Sequence, residues 1–84
     1  MLTAAEALRA ATLLTCDVMN ALEELRRTAD RRKSTIVNLN RDALHVMDVA
    51  ITARRLNPDH PDAIALIGIA QNLAAMTGQM AASA

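Results

Sequence analysis

The sequence predicts an all-α chain: a three-helix antiparallel bundle with a long first helix, expected to oligomerise. Three observations point there. The 84 residues hold only two prolines and two glycines, and none of these breakers stands before Pro58. Ala, Leu, Glu and Arg, all strong helix formers, dominate as far as Arg32. Apolar residues recur by threes and fours, which is the period of one helix face, and nowhere by twos over a strand's length. A chain this short makes one domain at most, helices over 3–32, 36–56 and 59–78. It buries a smaller share of its surface than a large domain does.

Helix one opens at Thr3-Ala4-Ala5-Glu6. This spacing fits a capping box, in which hydroxyl and carboxylate reciprocally satisfy amides that a helix start leaves unpaired. With roughly 28 residues it would be a rod about 40 Å long. At about 100° per residue, Ala4, Ala7, Leu8, Ala11, Leu14, Val18, Leu22, Leu25 and Ala29 share one stripe, the expected buried face. Glu6, Arg9, Asp17, Asn20, Glu24 and Arg27 occupy the other side. Leu13 sits among them with Cys16 nearby, and these two do not fit the pattern.

Helix two begins within Ser34–Asn40. Asn40 suits a cap because Leu39 before it and Leu44 after it would form a hydrophobic staple; Ser34 and Thr35 serve almost as well. Ile36, Leu39, Ala43, Val46, Met47, Ala50 and Ile51 make its apolar face, with Asn38, Arg41, His45, Asp48 and Thr52 opposite. Arg54 and Arg55 fall in the last turn, where cations complement the helix dipole.

The run Asn57-Pro58-Asp59-His60-Pro61-Asp62 breaks the chain, since a proline lacks an amide donor and disfavours a helical residue before it. Pro61 suits a first helical turn and Asp62 adds a favourable negative charge there. Helix three follows to about Gly78. Leu66, Ile69, Ala70, Leu73, Met76 and Met80 form its main stripe. Its other side is Ile64, Gly68, Gln71, Ala75 and Gly78, small and uncharged where a surface helix normally carries charge. A three-helix bundle covers each helix on one face only, so this second side calls for another surface, from a second copy or a protein partner.

Composition narrows the function. Hydrophobic residues make up 52% of the chain but aromatics none, so the core is built from Leu, Ile, Val, Met and Ala. Nine Lys/Arg balance nine Asp/Glu, which removes a global electrostatic pull toward nucleic acid or anionic membrane. The acid at Glu6 stands where a secretory signal needs basic residues. One cysteine permits no internal disulfide, which fits a reducing, cytoplasmic setting. Polar Gln71, Asn72, Thr77, Gln79 and Ser83 interrupt the charge-free stretch from Ala63 to Ala84, so no membrane span is expected.

Few residues suggest chemistry. Arg26, Arg27, Arg31, Arg32 and Lys33 cluster at the end of helix one. With Arg54 and Arg55 they define the alternative reading, a nucleic-acid-binding helical dimer. The five scatter around the helix axis and no aromatic is present to stack on bases. His45 lies three residues before Asp48 on one polar face, without a nucleophile or oxyanion donors beside it. His60 stands in a turn between Asp59 and Asp62, a set that needs ligands from another chain to hold a metal. Cys16 has no fixed cation to activate it. Leu13, Cys16 and Met19 lie where the edge of a second contact surface would be. No catalytic residue, metal, cofactor or small-molecule substrate is expected.

The segment Ala53-Arg54-Arg55-Leu56-Asn57-Pro58, followed by Asp59 to Ala63, resembles the junction between consecutive tetratricopeptide repeats. Ile64, Ile67, Gly68 and Ala70 fall where that repeat wants bulky, bulky, small and Ala. About a quarter of the chain is involved. Gln71 stands where the motif has an aromatic, and no second helix pair follows to stack on the first. The resemblance implies an antiparallel helix pair with a protein-binding groove.

The expected function is therefore non-enzymatic protein binding, of a chaperone, adaptor or inhibitor-type regulator. The expected contact residues are Ile64, Gly68, Gln71, Ala75, Met76 and Met80 of helix three, with Leu13 of helix one.

Overall fold

The computed structural model describes residues 2–84 as three packed helices, α1 (Ala4–Thr28), α2 (Lys33–Leu56) and α3 (Pro61–Ser83), with no strand among the described residues. The capping box at the head of α1 is formed: the Glu6 amide donates to the Thr3 hydroxyl and the Thr3 amide to Glu6 Oε1, both at 3.1 Å. Glu6 is held below the usual carboxylate range, first by the Thr3 backbone amide and then by the Thr3 hydroxyl.

α1 stops four residues short of the expected Arg32. Ala29 turns into the left-handed region at φ 53. Its amide donates to the Arg26 carbonyl at 3.3 Å and the Asp30 amide to the Leu25 carbonyl at 3.1 Å, the paired bonds of a Schellman motif. Asp30 then receives the Arg32 amide at 2.9 Å and the Arg32 guanidinium at 2.9 Å, locking the turn. Consequently the helices are nearly equal, with 25, 24 and 23 residues.

α2 starts at Lys33, ahead of the expected 36, and Arg32 precedes it without a side-chain cap. Asn40 is not the cap but an interior residue, and the Leu39–Leu44 staple is not formed: Leu39 is buried whereas Leu44 is exposed. Asn40 instead turns toward α3, where its Oδ1 lies 2.9 Å from the buried Thr77 hydroxyl. At the other end of α2, Asn57 Nδ2 donates to the carbonyls of Ala53 and Ala4, each at 2.9 Å, joining the exit of α2 to the head of α1.

α3 begins at Pro61, two residues later than expected, with His60 before it: His60 Nδ1 accepts the Asp62 amide at 3.1 Å. It runs past Gly78 to Ser83, because Met80 and Ala81 still pack on the core beyond the glycine. A Cβ at Gly78 would touch Asn40 Oδ1 at an ordinary 3.8 Å, so the glycine is no break in the helix.

The core follows the expected stripes with changes at their edges. Thr15, Ala53, Ala63 and Thr77 join it, whereas Ala29, beyond the end of α1, and Ile51 and Ile69 stay exposed. Thr15 and Thr77 enter by donating their hydroxyls to the carbonyls one turn back, Ala11 at 2.6 Å and Leu73 at 2.8 Å. Much of the interior is alanine: Ala7, Ala11, Ala43, Ala50, Ala53, Ala63 and Ala70 are buried almost completely. Alanine lets helices approach closely but contributes little apolar area. The large side chains buried outright are Val18, Leu22, Leu25, Ile36, Leu39, Val46, Leu66 and Leu73. Against these eight, nine remain exposed among the described residues: Leu2, Leu13, Met19, Val37, Leu44, Ile51, Leu56, Ile64 and Ile69. Alanine occupies the inner positions and displaces much of the large apolar surface to the outside.

Candidate functional site

The helix-three residues expected to bind a partner divide into two groups. Ile64, Gly68, Gln71 and Ala75 are all exposed and fall within about 60° of one another around the α3 axis, forming one continuous outer line. Its inner counterpart, Ala63, Leu66, Ala70, Leu73 and Thr77, is buried. No charged residue follows Asp62 on this helix, so the outer line is polar only through amides such as Gln71, Asn72 and Gln79. Around Gly68 the surface is open, with nothing within 4 Å of where a Cβ would stand.

Met76 and Met80 lie apart from that line, on the shoulder toward α1, half-buried against the core. Met76 Sδ receives the Arg26 guanidinium at 3.7 Å. The two methionines, with Leu25, Arg26, Arg31 and Ile36, line a shallow groove of about 460 Å³ where the end of α3 passes the end of α1. Leu13, 57% exposed, stands on α1 outside its buried stripe. Cys16 and Met19 are exposed on α1 as well.

Sequence reasoning missed a second apolar line. Val37, Leu44 and Ile51 of α2 recur every seven residues and all stand exposed, Leu44 at 53%. They lie beside Asn40 and Met47, on the shoulder of α2 that turns toward α3. Their period was present in the sequence, but Ile51 was assigned to the buried face, Leu44 to a staple with Leu39, and Val37 to neither face.

The basic residues do not converge. Lys33 and Arg54 stand at opposite ends of α2, about 32 Å apart along its axis. Arg27 is paired with Glu24, Arg32 with Asp30, and Arg54 Nε donates to the Pro58 carbonyl at 3.2 Å. Asp30 is pulled down to about 2, first by the side-chain bond from Arg32 and then by its backbone bond. Arg32 is raised in turn by that bond with Asp30. Arg26 is engaged at Met76, which leaves Arg31, Lys33 and Arg55 as exposed cations of the set without such a contact among the described residues.

His45 and Asp48 are exposed on α2, and His60 is engaged in capping α3. Among the described residues, no three His, Cys, Asp or Glu side chains are grouped to hold a metal ion. α3 is long and apolar enough, by length and composition, to cross a membrane. Comparison with family models, with curated proteins and with solved structures finds no match for this chain.

Proposed function

We propose that this chain is a small, non-enzymatic protein-binding module of the cytoplasm, an adaptor, chaperone or inhibitor-type regulator built as an antiparallel three-helix bundle. Its working surface is the outer line of α3, Ile64, Gly68, Gln71 and Ala75, which docks on a partner subunit or a client helix. One observation carries the reading: the outer line of α3 is exposed, holds no charged residue after Asp62 and carries Ile64 at 46% exposure. A single exposed isoleucine is ordinary, but a whole exposed helix face without charge is a surface that a protein partner would cover. The Asn57–Ala4 and Thr77–Asn40 bonds support the antiparallel run: the first joins the end of α2 to the start of α1, and the second the first half of α2 to the second half of α3.

A protein partner fits this surface better than lipid. The inner line of α3 is already packed against α1 and α2, and Gln71, Asn72 and Gln79 stand on the outer side, where hydrocarbon would leave their amides unpaired. A protein surface satisfies such groups at its polar rim. The test is affinity capture at native expression level with the unchanged chain and with Ile64→Glu and Ala75→Glu. A partner retained by the unchanged chain and by a Glu23→Ala control, but lost from both glutamate variants, is the expected result. Retention by all of them would contradict the reading.

A further inference from the structure

We infer that the partner covering the α2–α3 side of the bundle is a second copy of this chain, paired through α2 about a two-fold axis at Leu44. The inference deepens the docking reading and rests on it for α3, but its evidence lies on α2. Val37, Leu44 and Ile51 are spaced symmetrically, seven residues on either side of Leu44, with exposures of 44%, 53% and 39%. An antiparallel second α2 centred there lays Val37 on the other copy's Ile51, Leu44 on its own mate, and Ile51 on Val37. Such self-matching is what an isologous interface requires.

The charges beside the stripe choose the same arrangement. Arg41, Asp48 and Arg55 follow Val37, Leu44 and Ile51 at four residues' distance and stand exposed along one flank. In the antiparallel pair, Arg41 of each copy comes beside Asp48 of the other, so two opposite-charge contacts bracket the axis. A parallel, in-register pair would instead turn the Arg41–Asp48 flank of one copy toward the uncharged Asn40–Met47 side of the other, leaving these charges without opposite partners. Arg55 falls near the neutral Ser34 of the other copy. The like charges that approach are Lys33 and Arg55 at the outer ends, where solvent and salt screen them most.

The opposite flank of the stripe leads through Asn40 and Met47 to α3. Two-fold pairing of α2 therefore places the two α3 helices side by side as well. Their facing surfaces carry Ile64, Gln71 and Gly78, which bring no charge against each other. The result is a four-helix layer of two α2 and two α3. A face two helices wide on a molecule of 38 × 21 × 18 Å is of the size needed. It offers on the order of 800 Å² per copy, the share each partner contributes to an ordinary stable interface.

A charge-reversal cycle read by sedimentation equilibrium tests this on the whole chain. The unchanged protein is expected to sediment at twice its 9.0 kDa. Arg41→Asp and Asp48→Arg each turn both cross-axis contacts into repulsions and should raise the dimer dissociation constant about tenfold or more, whereas the double reversal restores it. All four residues in this set of contacts are exposed, and circular dichroism verifies that each variant remains helical. Independently, Leu44→Cys in a Cys16→Ser background should form a covalent dimer on mild oxidation, and Leu13→Cys in that background should not.

A chain that stays monomeric to about 100 µM, or a double reversal no better than the single ones, overturns the inference. Monomeric behaviour combined with loss of a foreign partner from Ile64→Glu overturns the α2 pairing while leaving the docking reading intact. A dimer that obeys the charge cycle and survives Ile64→Glu upholds the α2 pairing and removes α3 from the interface.

Discussion

Asp30 shows how one side chain ends one helix and starts another. Its carboxylate receives both the backbone amide and the guanidinium of Arg32, and its pKa falls to about 2 as a result. Because the folded value is depressed, the contribution to stability is fully present above the ordinary value of 3.8 and is lost as the pH falls toward about 2. A carboxyl titration by NMR should place the Asp30 midpoint near the lower value. Arg32→Ala should return it toward the ordinary one and move acid unfolding to higher pH. Where α3 packs on α2, the buried Thr77 hydroxyl lies between the Leu73 carbonyl and Asn40 Oδ1. Thr77→Val keeps the shape and removes the donor, so chemical denaturation should show a loss of about 1 kcal/mol.

Local chemistry made the ends of α1 and α3 partly legible in the sequence. The capping box needs only Thr3 and Glu6 three residues apart, and Pro61 with Asp62 marks a helix start by itself. The stop of α1 was not legible, because Ala29 adopts a left-handed conformation that the residue type disfavours; the Schellman bonds and the Asp30–Arg32 lock hold it there. The role of Asn40 was hidden for a related reason. An Asn between two leucines reads as a cap, and only packing against Thr77 makes it an interior residue. The same reading drew Leu44 into a staple, and Ile51 was counted with the buried face, so their line with Val37 did not show. The outer line of α3 was visible from the start as an absence of charge, whereas Met76 and Met80 were grouped with it by type although they stand on another shoulder of the helix.

Gly68 costs its helix stability where it stands. A Cβ there meets nothing within 4 Å, so Gly68→Ala should stabilise the isolated fold by about 0.5–1 kcal/mol, read by thermal or denaturant unfolding. If a partner backbone approaches this point closely, the added methyl must instead weaken binding. The predicted pattern is a more stable chain with a poorer grip, and a substitution that improves both would contradict the placement of Gly68 in the contact surface.

For the whole molecule the deciding balance is between the core and the outside. Alanine fills most of the inner contacts, and large aliphatic side chains lie along the outer shoulders of α2 and α3. Fully covering a Leu or Ile contributes about 1.5–3 kcal/mol, so covering Val37, Leu44, Ile51 and Ile64 matters beside the marginal stability of a domain this small.

Thiol footprinting at Ala75 tests most directly whether the outer face of α3 is covered in the working protein. In a Cys16→Ser background, Ala75→Cys is treated with a membrane-permeant maleimide in cells at native expression level and again as dilute purified chain, with Glu23→Cys as the exposed reference. The account predicts labelling at Ala75→Cys about tenfold slower in cells than in dilute solution, relative to that reference, because an interface excludes solvent and reagent. Equal relative rates in the two settings would contradict it.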